Sequence, residues 1–379
     1  MRAVQSGIVA PVHVPAASPQ SLPSTPRRPF VDVFRGLLVA HMALDHASLF
    51  FNAGRSGEEL YRAPAPFSAD LLQFLTRFTG VPVAPAFFFL AGFMVALTSA
   101  AREERGVERD AVTRRLVVRG LVLIAVDALV MGLPRALMGF YSFVVLSSIG
   151  AALIVLAFVR HLPSRVLLPA AIAVLALSPL IDASALHVAL RAILFEPVRN
   201  GPIRSLYPIV PWCAIVVVGF VVGRDAVGRP DPAPRWAWLG GVCLLVFFVV
   251  RASGGYGNAY PFTSLGGLDF WFFAKYPPDL PFLAFSFAAT FLGMAVLSRL
   301  TAHGTPGVLE PFALFGRVPF FFYVVHFYVL GIAAAVVRAK FGLAETVAIW
   351  LALLAAMAWP CAWYAATKRD RPNLITRYF

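Results

Sequence analysis

One stretch constrains this chain more than any other: residues 30–51, FVDVFRGLLVAHMALDHASLFF. It is apolar and long enough to cross a bilayer as a helix, yet it carries Asp32, Arg35, His41, Asp45 and His46. Ionisable groups at membrane depth cost a few kcal/mol each on insertion scales, so a chain keeps them only where they pair, face a wet cavity or do chemistry. At 100° per residue, Asp32, Arg35 and His46 share one stripe, whereas His41 and Asp45 form an i, i+4 pair on another. At about 1.5 Å per residue, His46 lies about 16 Å beyond Arg35. Asp32 and Arg35 are thus expected near one membrane surface and Asp45 and His46 towards the other. That layout makes the stretch one wall of an active site.

The rest of the chain has the same character. Of 379 residues, 59% are hydrophobic and 13% charged, with a mean hydropathy of +0.77; soluble domains carry about twice that charged fraction. The fold class expected is all-α, a polytopic integral membrane bundle. The net charge of +13 sits mostly on arginines in short loops between apolar runs. It is read as positive-inside patterning, with membrane lipids as neighbours and no nucleic acid as partner. Cys213, Cys243 and Cys361 each lie inside an apolar run, at spacings that fit neither a disulfide framework nor a zinc site. They are read as packing residues.

Hydropathy places ten spans, at about 30–51, 80–99, 115–133, 139–159, 165–181, 207–223, 236–252, 280–298, 311–337 and 343–366. Ten crossings put both termini on one side. That side receives Arg27, Arg28, Arg102, Arg105, Arg109, Arg114, Arg115, Arg160, Arg165, Arg224, Arg229, Arg235, Arg299, Lys368, Arg369, Arg371 and Arg377. Both termini are therefore expected in the cytoplasm, in a bacterial cytoplasmic (inner) membrane, although Arg338 and Lys340 run against the bias. Residues 1–29, rich in Pro, Ser and Ala, read as a disordered tail, 30–367 as the membrane domain and 368–379 as a basic tail. Of the longer outer segments, 253–279 mixes Gly, Tyr, Trp and Pro and reads as an ordered cap. The Gly-containing spans allow a homodimer.

Each polar residue at depth has a bland reading beside its functional one. An imidazole such as His46 is a natural general base, or a transient acyl carrier; otherwise it is a satisfied packing histidine. Asp45 points about 100° away from it, so it is not assumed to orient His46. Asp32 and Arg35 form an ion pair at a helix start, or Arg35 meets an anionic donor from the cytoplasm. His326 lies deep in the ninth span with Tyr323 three residues earlier and Arg317 just before it; it reads as a second acid/base or an anchor. Arg77, before a span whose entry is broken by Pro82 and Pro85, is a site residue or a snorkelling cation. Tyr207, Trp212, Lys275 and Tyr276 lie at outer boundaries, where aromatic belts and snorkelling are the alternatives. Asp127 is a further membrane acid whose partner the sequence does not name. No HExxH, CxxC, GxSxG or Walker loop occurs, so no motif points to a metal, haem, flavin or ATPase site.

Five segments together resemble a known family: DVFRGLLVAHMALDHASLFF at 32–51, TRFTGVPVAPAFFFLAG at 76–92, YPIVPWCAIVVVGFVVGR at 207–224, KYPPDLPFL at 275–283 and FGRVPFFFYVVHFYVL at 315–330. They are similar, in order, to the bacterial relatives of the heparan-α-glucosaminide N-acetyltransferase catalytic domain, within the transmembrane acyltransferases. The resemblance implies a helix bundle moving an acetyl or other acyl group from cytoplasmic acyl-CoA to an acceptor, often a sugar or glycan, at the other face. It points to Asp45, His46 and His326 as catalytic. The substrate-binding set is Asp32, Arg35, Arg77, Tyr207, Trp212, Lys275, Tyr276, Arg317 and Tyr323, with acyl-CoA as donor and no metal. Bacterial members commonly carry a histidine at the position of Val81. The alternative is a transporter or flippase that uses the same buried charges without acyl chemistry.

Overall fold

The computed structural model describes residues 28–371 apart from 62, 67, 69, 138 and 199–202. The tail assigned to 1–29 lies almost wholly outside the described residues, as do Arg62, Arg199 and most of 368–379, including Arg377.

The elements run α1 (Pro29–Phe51), α2 (Leu71–Phe78), α3 (Val83–Glu103), α4 (Arg109–Val126), α5 (Leu133–Leu137), β1 (Tyr141–Phe143), α6 (Val145–Val159), α7 (Ser164–Leu177), α8 (Val188–Leu194), β2 (Ile203–Ser205), α9 (Ile209–Val227), α10 (Ala233–Ser253), α11 (Leu280–Leu300), α12 (Glu310–Arg317), α13 (Pro319–Val337) and α14 (Leu343–Asp370). β1 and β2 pair in parallel as a two-stranded patch; the rest is an all-α bundle. Each of the ten anticipated spans falls on a helix. Among the described residues, six stretches are long and apolar enough to cross a membrane: α2–α3, α9, α10, α11, α13 and α14. α6 and α7 are apolar but shorter.

Three boundaries differ from the sequence reading, each for a local reason. The ninth span is broken in two at Val318 (φ −133°, ψ 48°) because Pro319 has no N–H to continue the helix. Residues 139–144 form β1 and its flanks, so the fourth span starts at Val145. The third span ends in a π-helical turn, Asp127–Met131. There the Asp127 carboxylate accepts from the backbone N–H groups of Ser147 (2.8 Å) and Val144 (3.3 Å). The acid without a named partner thus caps the start of α6 from a neighbouring helix, where the helix dipole favours it.

Burial sorts the helices into two layers. α3, α9 and α11 are largely enclosed, whereas α10, α13 and α14 are apolar on their open faces. Leu245, Val336 and Trp359 on that outer layer are more than half exposed, as lipid-facing side chains must be. The inner helices meet backbone to backbone. A Cβ on Gly92 would lie 1.8 Å from the Val216 carbonyl oxygen, and one on Gly219 2.0 Å from that of Phe89. α1 and α12 cross in the same way through Gly36 and Gly316. Such seams are how helices associate where no hydrophobic driving force separates them from lipid. These glycines face this chain's own backbone, so they supply no dimer face.

At one end of the bundle, α1 hands over to a capped region. The Ala53 N–H donates to the Phe341 carbonyl, and the Phe341 N–H donates to the Phe51 carbonyl. Leu60 pairs with Tyr276, and Lys275 N and Tyr276 N both donate to the Glu59 carbonyl. The segment 253–279 is an ordered cap built on Arg251. That guanidinium is fully buried and donates to the carbonyls of Phe270, Tyr260 and Asp269 and to Asn258 Oδ1.

Candidate active site

The C-terminal third of α1 opens onto a cleft of about 1150 Å³, counting its solvent-open mouth. Its walls come from α1, the α2–α3 entry, the segment before α9, the 273–276 strap and α13. Asp45, His46, Arg77, Tyr207, Lys275, Tyr276 and Tyr323 all line it. Seven sequence-predicted residues from five separate segments are brought to one cavity. The irregular backbone at Gly80 and Val81 also faces it, as expected for non-helical chain at membrane depth.

His46 sits at the cleft floor in a chain of three groups. Its Nδ1 lies 2.8 Å from His326 Nε2, and His326 Nδ1 lies 2.7 Å from the Phe322 carbonyl oxygen. A carbonyl oxygen only accepts, so His326 Nδ1 carries the hydrogen. In the neutral pair, His326 Nε2 is then an acceptor and His46 Nδ1 must donate to it. The consequence is a single tautomer: His46 Nε2 keeps its lone pair and has no hydrogen-bond partner among the described residues. His326 is fully buried behind it, and Phe327 packs edge-on against the His46 ring.

Asp45 does not contact this pair. It accepts from Arg55 Nη1 at 2.8 Å and Arg77 Nη1 at 2.6 Å. Arg55 continues to Glu58 at 3.0 Å, and Arg77 to Glu59 at 2.5 Å. The five form one network that fastens the loop after α1 onto α2. Arg55, Glu58 and Glu59, and the cleft-lining Arg135, were missed from sequence. The adjacent charges in GRSGEEL, directly after an apolar span, were the available signal. Burial pushes the Glu58 carboxyl up, but Arg77 and Arg55 outweigh it and hold the net value below 4.5.

Lys275 contrasts with these arginines. Its Nζ lies 5.0 Å from the centre of the Tyr276 ring and makes no hydrogen bond or ion pair among the described residues. Burial alone lowers its pKa; Tyr207 and the carboxylates of Asp45, Glu59 and Glu58 outweigh burial and raise it. An ammonium without a direct partner therefore faces the cavity. Tyr276 and Tyr207 share a buried hydroxyl–hydroxyl contact of 3.0 Å.

The remaining predicted residues lie elsewhere. Trp212 is wholly buried, packed on Phe88 and on Tyr207, and supports the cleft wall from behind. Asp32 and Arg35 stand 4.0 Å apart at the opposite end of α1, and Arg317 pairs with Glu310 there, at 3.3 Å. His41 lines the cleft but bonds Thr79 rather than Asp45.

Comparison with individually curated proteins returns no match. A family profile described as "Heparan-alpha-glucosaminide N-acetyltransferase, catalytic" matches residues 27–252, which includes α1, the Arg77 entry and Tyr207, while Lys275 and His326 follow the matched stretch. This helical membrane protein belongs to the heparan-alpha-glucosaminide N-acetyltransferase catalytic family.

Proposed function

We propose that the protein transfers an acetyl or other acyl group from cytoplasmic acyl-CoA to a sugar or other small acceptor held in the outer cleft, with His46 as the general base. The observation that carries this reading is the Phe322 carbonyl–His326–His46 chain, which leaves His46 Nε2 as a free base at the cavity floor. His46 Nε2 removes a proton from the acceptor's hydroxyl or amine as that oxygen or nitrogen attacks the thioester carbonyl carbon. The carbon–sulfur bond then breaks, and the proton passes from His46 to the departing CoA thiolate. His326 positions the base and accepts a hydrogen bond from the imidazolium that forms.

The ends of α1 divide the work. Asp32 and Arg35 lie on the donor's approach, at the end that carries the Arg-rich loops, and Arg35 meets the anionic nucleotide of CoA. Lys275, Arg135, Tyr207, Tyr276 and Tyr323 line the acceptor side. Asp45 and Arg77 hold the cleft's shape. Ten crossings of a bacterial inner membrane, with both termini in the cytoplasm, remain the reading, and the Lys and Arg bias of the sequence is what supports that orientation.

The test is turnover of labelled acetyl-CoA in nanodiscs with amino-sugar and lipid-linked sugar acceptors. Wild type should release CoA and label an acceptor, and His46→Ala should lose about 10²–10⁴-fold in rate. Undiminished transfer by His46→Ala removes the base role. Label trapped on His46 in a single turnover replaces it with an acyl-carrier role. Acceptor movement without acyl-CoA favours a transporter.

A further inference from the structure

A second cavity, of about 550 Å³ including its open mouth, lies at the other end of the bundle. It is bounded by the last turns of α3 (Ala96, Ser99, Ala100 and Glu103), the start of α4 (Arg109), the end of α6 (Arg160, His161) and α9 (Phe220, Arg224). It is separate from the outer cleft. The cleft takes Val83, Ala84 and Phe87 of α3, the glycine seam with α9 occupies the next turns, and this cavity begins at Ala96.

Its chemistry is that of an anion site. Three arginines, Arg109, Arg160 and Arg224, and one carboxylate, Glu103, line it. Arg160 is 6% exposed; it donates to Glu103 at 2.6 Å and to the Arg109 carbonyl at 3.0 Å, yet its Nε has no partner among the described residues. The Ser99 hydroxyl is 5% exposed and is likewise without a partner. Arg224 is held by the Leu162 carbonyl at 2.7 Å, which fixes its head at the rim. Buried donors left without acceptors are costly unless a ligand or water satisfies them. Within three residues of the lining residues in sequence stand exposed apolar side chains: Phe158 is 65% exposed, Leu162 44% and Val227 37%. A cationic pocket with an apolar skirt, among the basic loops at the helix ends, matches a headgroup phosphate with acyl chains lying beside it.

We infer that this cavity binds the phosphate of an anionic phospholipid headgroup, with its acyl chains against Phe158, Leu162 and Val227. Arg109, Arg160 and Arg224 neutralise the phosphate, and Ser99 donates to it. The site is distinct from the acyl-transfer cleft, and its occupancy does not depend on that chemistry.

The test uses the full-length protein in mild detergent, exposed in turn to phosphatidylglycerol, phosphatidylcholine and inorganic phosphate. Bound lipid is counted by native mass spectrometry. Wild type should retain phosphatidylglycerol through a wash that removes phosphatidylcholine. Arg109→Gln/Arg224→Gln should weaken retention about thirtyfold, the effect of removing two cations near a lipid headgroup. Arg165→Gln, at the same end but outside the cavity, should retain the lipid as wild type does. Arg109 and Arg224 are exposed, so an unchanged melting temperature of the double variant separates lost binding from lost folding. Equal retention by wild type and the double variant overturns the inference, as does phosphatidylcholine held as firmly as phosphatidylglycerol. Binding of inorganic phosphate that displaces all lipid also overturns it, because the cavity then serves a free anion.

Discussion

The α3–α9 seam and the outer cleft are built from consecutive turns of one helix, yet they are held by opposite means. In the seam, Gly92, Gly219 and Gly223 bring main chain against main chain. In the cleft, which α3 enters a few residues earlier, the loop after α1 is held to α2 by Arg55 and Arg77 bridging Asp45, Glu58 and Glu59. The seam tolerates no added atoms; the cleft keeps a cavity open. A membrane enzyme needs both, because a rigid scaffold frees the adjoining turns to hold polar groups around a wet space instead of packing.

The largest effect is expected where that contrast is sharpest. Gly219→Leu starts from a Cβ 2.0 Å from a backbone oxygen. Overpacking usually costs about 1–3 kcal/mol when side chains can yield, and here the obstacle is main chain. No monodisperse protein should elute on size exclusion. Gly241→Leu, where a Cβ meets nothing within 4 Å, should elute as wild type. If Gly219→Leu folds normally, the seam is not the rigid element.

Arg77→Met comes next. It strips Asp45, Glu58 and Glu59 of a shared partner, and breaking a buried pair costs about 3 kcal/mol. Thermal melting should fall accordingly, because Arg77 is only 13% exposed. A melting curve identical to wild type would mean that the loop after α1 is held by its backbone bonds to Phe341 and Tyr276 alone.

The same contrast explains what was legible in the sequence. The spans were readable because lipid requires about 20 apolar residues of any helix that crosses it. Asp45, His46, Arg77 and His326 were readable because charge at that depth is anomalous. Arg55, Glu58 and Glu59 were not, because in a loop a charge is the ordinary choice and its partner depends on how the loop folds back. Arg135 lies between two apolar runs, where an arginine is equally ordinary. The ring-to-ring link of His46 with His326 joins residues 280 apart in sequence, which no helical period can foresee. The break at Val318 was visible as Pro319 but was absorbed into a long apolar run.

Within the cleft, His326→Phe separates positioning from packing. Phenylalanine keeps the ring but offers no acceptor to His46 Nδ1, so the free-base tautomer loses its lock. The turnover number should drop about a hundredfold, at the low end for acid–base catalysis because His326 acts through another residue, while KM changes little. A matching rise in KM, or a fall in melting temperature comparable to that of Arg77→Met, would make His326 a packing residue.

The smallest effect separates the two regions by pH. Glu58 has its carboxyl held below the ordinary 4.5 by Arg77 and Arg55, against burial. A carboxylate with a depressed native pKa stabilises the fold above its unfolded value, and that contribution disappears as pH falls through the native one. The cleft network should therefore weaken below pH 4.5, whereas the glycine seam, which carries no titratable group, should not respond. Melting temperature followed from pH 7 to pH 3 should decline at the acid end, and Glu58→Gln should lie lower at pH 7 and decline less. A steeper acid decline in Glu58→Gln than in wild type would place the acid-labile contact at a carboxylate outside this network.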